Sequence, residues 1–144
     1  MQLVVFALGD EEYGLPITQV QEIIRFSEPR SIPNPHASMR GVINLRGRII
    51  PVCDLKLQLG VDAAPIADED CEIVVVESAA GPAGLIVDGV NEVMTVTEEQ
   101  IEPDAGSRES YLDGIAKVGD RLIVLLDAPG LVGALGLAPH AQAA

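Results

Sequence analysis

The sequence has no tryptophan, and aromatic residues make up only 3% of it. Its core must therefore be filled by valine, isoleucine, leucine and alanine, and the β-branched residues among them favour strands over helices. With 48% hydrophobic residues in a chain of 144, there is enough apolar material for a domain of ordinary size. The composition therefore favours a domain made of many short strands.

Long apolar runs are also lacking. No stretch approaches the ~20 apolar residues that a membrane helix needs, which excludes direct insertion into a bilayer by a helix. Residues 3–8 are apolar, but no basic residue precedes them, and they run directly into Gly9 and three acidic residues. This beginning is unlike a secretory leader. We therefore expect a cytoplasmic protein without a membrane-inserted segment.

Cysteine and histidine, which often carry metal or nucleophilic chemistry, are scarce. Cys53 and Cys71 are the only cysteines, and His36 and His140 are the only histidines. Two thiols without a secretory leader indicate small buried hydrophobic residues rather than a disulfide. Neither histidine lies at metal-ligand spacing from a cysteine, and no phosphate-binding loop, dinucleotide motif or nucleophile elbow is present. The sequence predicts no metal, no cofactor and no catalytic residue.

Basic residues are outnumbered, since nine lysines and arginines face 22 acidic residues, for a formal net charge of −13. Such a charge argues against nucleic acid as a partner, because the phosphates would be repelled at long range. From Arg25 to Arg48, however, there are five arginines and one acidic residue, whereas between Leu59 and Ala116 only Arg108 opposes fourteen acidic residues. The molecule is therefore expected to be bipolar in charge, and a patch of one sign can orient a charged partner.

Residues 41–55 have the pattern of a β-hairpin. Two apolar, β-branched runs flank Arg46 and Gly47, and Gly47 can take the positive φ that a two-residue hairpin turn requires. An arginine is therefore predicted at the hairpin tip. Pro51 has no N–H to donate to a neighbouring strand, so the second strand is predicted to run along a sheet edge or through a bulge.

The hairpin pattern occurs twice, because residues 114–127 align without gaps on residues 41–54. Residues 84–93 likewise align on residues 14–23. Two copies of one unit therefore make up the chain, and because a solenoid needs at least about three repeats, we predict two similar lobes packed together in a single domain. The predicted boundaries are residues 1–144 for the domain, approximately 1–66 and 67–137 for two lobes that can interleave, and 138–144 for a frayed tail.

Local patterns predict further elements. Residues 3–8 and 13–15 are short apolar runs bounded by turn signals and are predicted to be strands. Residues 16–24 carry apolar side chains at helical spacing, which predicts a short helix there. A helical turn is predicted at residues 56–59.

Asp54 and Asp127 are the one pair of residues that suggests catalysis. Each follows the second strand of a hairpin, and two carboxylates can in principle act as general acid and general base. They occupy equivalent positions of the repeat, however, and are better explained as carboxylates that accept hydrogen bonds in the following turn. We expect no enzyme, and a small acid–base enzyme that uses Asp54 and Asp127 is the alternative from another class.

Residues 41–55 closely resemble the signature of the CheW family of chemotaxis coupling proteins. The signature residues of this hairpin are Asn44, Leu45, Arg46, Gly47, Pro51 and Asp54. Further segments resemble the family in the same order along the chain, at residues 6–14, 20–23, 84–90, 111–112 and 119–122. The resemblance implies an all-β fold of two tandem SH3-like five-stranded barrels around a shared core, with short helices. This fold agrees with the repeat.

The resemblance also implies a function, that of a non-catalytic adaptor in a chemotaxis signalling array. The implied partners are methyl-accepting chemotaxis receptors, through their cytoplasmic tip, and the regulatory domain of the histidine kinase CheA, with recruitment to membrane-associated receptor arrays. The positions that match the family's receptor-binding groove are Val20, Glu22, Gly41, Arg46 and Val93. Of these, Arg46 is the strongest candidate: the valines would supply an apolar trough, and Arg46 with Glu22 would fix register through charge.

Two further interpretations stay open. The same adaptor module serves chemosensory pathways that control pili, surface motility or development. A free-standing pair of peptide-binding barrels is the other, and it would bind a linear peptide without any kinase.

Overall fold

A computed structural model of the chain describes residues 1–33, 39–61, 68–78, 81–103 and 112–135. Within these ranges the strands are β1 (Gln2–Leu8), β2 (Glu11–Pro16), β3 (Val20–Arg25), β4 (Met39–Leu45), β5 (Arg48–Asp54), β6 (Glu72–Ser78), β7 (Gly81–Val87), β8 (Gly89–Thr95), β9 (Ile101–Glu102), β10 (Leu112–Val118) and β11 (Arg121–Leu126). The helices are α1 (Leu55–Leu59) and α2 (Ala128–Leu135), with 3-10 turns at Ile17–Gln19, Asp68–Asp70 and Glu98–Gln100. Tyr111, both histidines and the predicted tail 138–144 lie outside the described residues.

The strands form two sheets, and each sheet takes strands from both halves of the chain. The five-stranded sheet, here called barrel 1, has the order β3-β6-β7-β5-β4. The six-stranded sheet, here called barrel 2, has the order β8-β1-β2-β11-β10-β9. The predicted all-β class with two SH3-like barrels and short helices is confirmed, although the two-residue strand β9 gives barrel 2 a sixth strand. Sheet membership crosses the intervals 1–66 and 67–137, because β1 and β2 belong to barrel 2 whereas β6 and β7 belong to barrel 1.

The internal repeat is visible in the strand register. In barrel 1, β5 runs parallel to β7 with Val52 opposite Gly84, and in barrel 2, β11 runs parallel to β2 with Leu125 opposite Gly14. These pairs are equivalent positions of the two repeat copies. Each barrel also contains one of the predicted hairpins, β4–β5 or β10–β11. The two copies therefore build the same ladder twice.

Of the two alternatives predicted for the second hairpin strand, the sheet edge is wrong, because β5 lies between β7 and β4. The hairpin does contain a register shift, but on β4 between Met39 and Gly41, and Pro51 itself pairs regularly with Val42. Pro51 is nevertheless placed where a proline is tolerated. The parallel ladder to β7 begins only at Val52 and ends at Asp54, so Pro51 lies just before it. The missing N–H of Pro51 therefore interrupts no pairing with β7.

The helix predicted at residues 16–24 is also wrong, since only the 3-10 turn Ile17–Gln19 forms before β3. The register of β3 on β6 shifts between Val20 and Glu22, which adds one residue to β3. Val20 and Ile23 consequently lie opposite Val76 and Val74, on the same face of the sheet, although they are three residues apart. The bulge therefore produces a spacing that imitates a helix, and pairing with β6 decides the structure.

The apolar side chains form three clusters. One lies between the two barrels, and each of the others fills a barrel interior. The shared cluster contains Phe6, Leu8, Leu15, Cys53, Leu55, Val74, Val76, Ala83, Leu85, Val87, Leu126, Ala128, Leu131 and Val132. Both cysteines are buried and neither is in a disulfide, as predicted, and burial raises the pKa of the Cys53 thiol. None of the helices in the described ranges is long and apolar enough to cross a membrane.

One buried carboxylate joins the barrels. Asp88, in the link from β7 of barrel 1 to β8 of barrel 2, has a side chain only 3% exposed. It accepts a hydrogen bond from the backbone N–H of Gly9 at 2.6 Å and lies 2.9 Å from the Lys56 ammonium on α1. Gly9 belongs to the β1–β2 turn of barrel 2, and Lys56 follows β5 of barrel 1. The Asp88 carboxylate therefore contacts one residue from each barrel.

Candidate partner-binding surface

Arg46 lies at the tip of the β4–β5 hairpin, as the sequence predicts. Its backbone has a positive φ of 51°, and Gly47 follows with φ of 88°. Two successive positive φ values are the mark of a type I′ turn, for which Asn-Gly is a preferred sequence. The side-chain oxygen of Asn44 accepts a hydrogen bond from the Gly47 N–H at 2.8 Å and holds this turn. Because Arg46 is the one non-glycine residue with positive φ in the described ranges, a strained backbone carries a functional candidate.

The Arg46 side chain forms an ion pair with Glu22. Glu22 lies on β3 and Arg46 follows β4, and these strands are the two opposite edges of barrel 1. The curled sheet therefore brings residues that are far apart in strand order into contact, and the ion pair joins its two edges. Two of the predicted groove residues, Glu22 and Arg46, are thus joined directly.

The ion pair leaves most of the arginine available. The Arg46 side chain is 69% exposed and that of Glu22 is 28% exposed. A guanidinium has five N–H donors, and a single carboxylate cannot use all of them. An exposed ion pair of this kind contributes about 0–1 kcal/mol to stability. Arg46 can therefore offer donors to an incoming carboxylate or backbone carbonyl at little cost to the fold.

Val20 and Val93 lie on the two strands that border the shared cluster. Val20 packs against that cluster from β3, an edge of barrel 1. Val93 lies on β8, an edge of barrel 2, opposite Val4 of β1, and is 51% exposed. Val20 therefore faces the shared cluster, whereas Val93 does not pack against that cluster in the described residues, and no described hydrogen bond or ion pair joins Val93 to the Glu22–Arg46 pair.

Gly41 is buried and serves a different purpose from the other four residues. Its φ is +141°, and a Cβ added there would lie 2.1 Å from the carbonyl oxygen of Arg30. Arg30 and Val42 exchange two backbone hydrogen bonds, of 2.8 and 2.9 Å, across this close approach. The repeat equivalent, Gly114, is held in the same way at the carbonyl of Glu102. Gly41 therefore allows the hairpin to pack, and any contribution to a groove is indirect.

Sequence reasoning missed the charge cluster that stands in the equivalent region of barrel 2. Arg121 donates to both oxygens of Glu12, at 3.0 and 2.8 Å, and to Glu92 at 2.8 Å. The hydrogen bonds from Arg121 are the main reason that the pKa of Glu12 is lowered, and the two glutamates raise the pKa of Arg121. The repeat alignment contains the signal for this cluster, because Glu92 aligns on Glu22.

In the part of the chain that the structure describes, barrel 1 has no such cluster around the arginine that aligns on Arg121. That arginine is Arg48, and Pro82 stands where Glu12 would be in the repeat. Arg48 is exposed, and no ion pair joins it to another described residue. The hairpin of barrel 1 therefore presents two exposed arginines, Arg46 and Arg48.

Asp54 and Asp127 are structural. Asp54 caps α1 by accepting hydrogen bonds from the backbone N–H groups of Lys56 and Leu57, at 3.0 and 3.4 Å. Asp127 accepts from the Gly130 N–H at 3.0 Å at the start of α2 and from the Gln19 side chain at 2.9 Å. Both are N-caps of short helices, which is the turn role expected from their equivalent positions.

The chain matches the family model described as CheW-like domain over residues 2–135. It is 34% identical over 135 residues to the chemotaxis protein CheW of Klebsiella aerogenes, which covers 91% of this chain and 81% of that protein. It is also 34% identical over 131 residues to the chemotaxis protein CheW of Bacillus subtilis, covering 88% of this chain and 83% of that protein.

A more distant relative is protein PilI of Pseudomonas aeruginosa, 28% identical over 114 residues, covering 76% of this chain and 64% of that protein. Among solved structures, the scaffolding protein TtCheW from Thermoanaerobacter tengcongensis is similar, with a TM-score of 0.83 and 38% sequence identity. That similarity covers 90% of each chain. The likeness therefore extends over nearly all of the sequence, including both barrels.

Proposed function

The chain belongs to the CheW family of chemotaxis coupling proteins, and from that premise we propose that it couples methyl-accepting chemotaxis receptors to the histidine kinase CheA. Members of this family are non-catalytic scaffold adaptors, and the chain is not an enzyme. The proposal adds two specific partners to that role. It also locates the protein in the cytoplasm, from which the receptors recruit it to membrane-associated arrays.

The receptor's helical tip binds at the Arg46 end of barrel 1 in this proposal. The supporting observation is the conformation of Arg46, because an exposed arginine in a strained backbone is not needed for a stable turn. Arg46 and Glu22 fix the register of the bound helix through charge, and Val20 and Val93 contact its apolar face. Gly41 permits the hairpin packing that holds Arg46 in place.

The kinase binds elsewhere, through its regulatory domain, so that both partners can be held at once. Such an adaptor raises the local concentration of the kinase at the receptor. Binding to each partner alone is expected to be roughly micromolar, as is common for transient interfaces.

Co-sedimentation with receptor-containing membranes and CheA tests the proposal. The variant is Arg46→Asn, which removes the charge and leaves the preferred type I′ sequence Asn-Gly. Lys117→Asn is the matched control, because it removes one positive charge from the strand before the other hairpin turn. Wild type and Lys117→Asn are expected to join the complex and raise kinase phosphorylation, whereas Arg46→Asn stays folded and fails to couple. No binding of the wild type to either partner would contradict the proposal.

A second candidate is the same adaptor role in a chemosensory pathway that controls pili, surface motility or development. The similarity to PilI is the observation that favours it. At 28% identity against 34% for the chemotaxis relatives, it is the weaker candidate. Stronger binding to a kinase of such a pathway than to CheA would favour it, and binding of a linear peptide without any kinase would favour the free-standing barrel pair.

A further inference from the structure

Barrel 2 contains a cavity of about 220 Å³ next to Asp113. Asp113 carries the one ionisable side chain of the lining, and the other lining residues are Met1, Leu3, Pro16, Ile101, Leu125 and Leu126. The terminal ammonium of Met1 donates a hydrogen bond to the carbonyl of Val96 at 3.0 Å. Within the described ranges, Asp113 makes no hydrogen bond or ion pair. The cavity is smaller than the roughly 300–1,000 Å³ typical of pockets for drug-sized ligands. It therefore suits a single side chain better than a whole small molecule.

In barrel 1, the repeat position of Asp113 is taken by Arg40. Arg40 and Asp113 are one residue before the aligned glycines 41 and 114, and each lies at a register shift between its two hairpin strands. The Arg40 guanidinium lies 5.9 Å from the ring centre of Phe26. It is also 3.9 Å from a carboxylate oxygen of Asp54 and 3.6 Å from one of Glu28. Barrel 1 thus supplies its own arginine at this position.

Barrel 2 has kept the carboxylate that Arg40 faces but has lost the arginine. Asp127 aligns on Asp54. Val96 takes the position that Phe26 has in barrel 1. This equivalence follows from strand pairing, since Met94 pairs with Leu3 of β1 and Ile24 pairs with Ile73 of β6, the repeat equivalent of Leu3. Both replacements, Asp113 for arginine and Val96 for phenylalanine, are smaller. Partial burial of its carboxyl, together with the negative charge of Asp127, raises the pKa of Asp113.

We propose that this cavity is a recognition pocket for an arginine side chain of a partner protein. Its guanidinium takes the place in barrel 2 that Arg40 has in barrel 1 and pairs with Asp113. Asp127 contributes charge at longer range, because Gln19 and Gly130 already donate to its oxygens. The apolar walls accept the methylene stem, as they do where long basic side chains cross apolar surface. The proposal does not depend on the receptor or on CheA.

Amide NMR spectra of the full chain, titrated with three compounds, test the proposal. The probe is N-acetyl-L-arginine methylamide, and the comparison compounds are the uncharged citrulline derivative and free L-arginine. The blocked arginine is expected to shift the signals of Leu3, Ile101 and Leu125 saturably, with a dissociation constant on the order of millimolar. Citrulline is expected to bind at least about tenfold more weakly, because it cannot form the charged pair. Free arginine should bind less well than the blocked form, because Asp113 repels its carboxylate.

The variants give the decisive comparisons. Asp113→Asn changes an exposed residue and is expected to fold normally and to lose at least about tenfold in affinity for the probe. Asp113→Arg is expected to restore the arrangement of barrel 1 within the chain, to raise the unfolding midpoint by a few degrees, and to abolish probe binding. Arg108→Ala is expected to leave binding unchanged. The proposal would be overturned by equal binding of arginine and citrulline or by unchanged binding in Asp113→Asn. It would also be overturned by tighter binding in Arg108→Ala, because that result would mean that the chain's own Arg108 competes for the pocket.

Discussion

The two barrels are built on one repeat, yet they use their charged residues differently. In barrel 2, Arg121 is held by two glutamates from separate strands. In barrel 1, Arg48 stands at the same repeat position and pairs with no carboxylate among the described residues, whereas Arg46 at the turn pairs with a single glutamate, Glu22. The glutamates Glu22 and Glu92 are themselves equivalent. The repeat therefore fixes the position of the glutamate in each barrel. The arginine that pairs with it differs, and this difference decides whether the positive charge is held between carboxylates, as at Arg121, or exposed at a turn, as at Arg46.

This difference separates structural from functional charge without any knowledge of a partner. An arginine that donates to two carboxylates has little left to offer a ligand, and its removal affects the fold. An arginine on a strained turn with most of its surface exposed stabilises the fold little, and its removal affects binding. Substitutions at equivalent positions can test this distinction, because each barrel serves as the control for the other.

The largest effect is expected where the barrels are alike. Gly41→Ala and Gly114→Ala should each lower the free energy of unfolding by about 2–4 kcal/mol, because the new Cβ would meet a backbone oxygen at a φ near +140°. Gly47→Ala is the matched control: its φ is +88° but nothing lies within 4 Å, so only about 1 kcal/mol of backbone strain is expected. Urea denaturation measures all three. A mild effect at Gly41 with a severe one at Gly114 would show that the two hairpins are not packed alike.

The next largest effect is expected at a contact that the repeat does not duplicate. Thr18 stands at the position equivalent to Asp88, so the Asp88–Lys56 pair exists once. Lys56→Met should cost about 2–3 kcal/mol of unfolding free energy, because it leaves a buried carboxylate without its cation. Adding Asp88→Asn to this variant should recover part of the loss, because the amide oxygen can still accept from the Gly9 N–H. A double variant less stable than Lys56→Met would argue against a charge effect.

Much of this arrangement can be predicted from local sequence. The positions of both hairpins, the arginine at the tip and the equivalence of Asp54 and Asp127 follow from turn chemistry and from the repeat. The exchange of strands between the halves cannot be predicted this way, because nothing local in residues 3–8 specifies pairing with β8. The helix at residues 16–24 was predicted wrongly because a bulge in β3 imitates helical spacing.

The charge cluster of barrel 2 lies beyond local sequence for the same reason. Its three members, Glu12, Glu92 and Arg121, come from three separate strands of barrel 2. The pairing of β8 with β1, of β1 with β2 and of β2 with β11 brings them together. The repeat shows which positions are equivalent, but long-range pairing decides which charges meet.

The arginines themselves should separate stability from coupling. Arg46→Asn is expected to leave unfolding free energy unchanged or about 0.5 kcal/mol higher, because asparagine suits the left-handed turn, while receptor affinity falls about 10–100-fold. Arg121→Gln is expected to do the reverse, with a loss of about 1 kcal/mol in stability and normal receptor binding. Urea denaturation and co-sedimentation on the same protein samples make the comparison. Equal loss of binding in both variants would remove the distinction between enclosed and presented charge.

The smallest effect is a pH dependence confined to barrel 2. The pKa of Glu12 is lowered below its usual value of 4.5, chiefly by the hydrogen bonds from Arg121. A carboxyl with a lowered pKa in the folded state stabilises the fold above its unfolded pKa, and this contribution is lost as the pH falls through the folded value. The difference in unfolding free energy between wild type and Arg121→Gln should therefore be constant from about pH 6 to 8 and shrink below about pH 4.5. Arg48→Gln, at the equivalent position of barrel 1, should show no such convergence, because no described glutamate pairs with Arg48. A convergence of the same size in both variants would mean that the two arginines meet the same electrostatic surroundings after all.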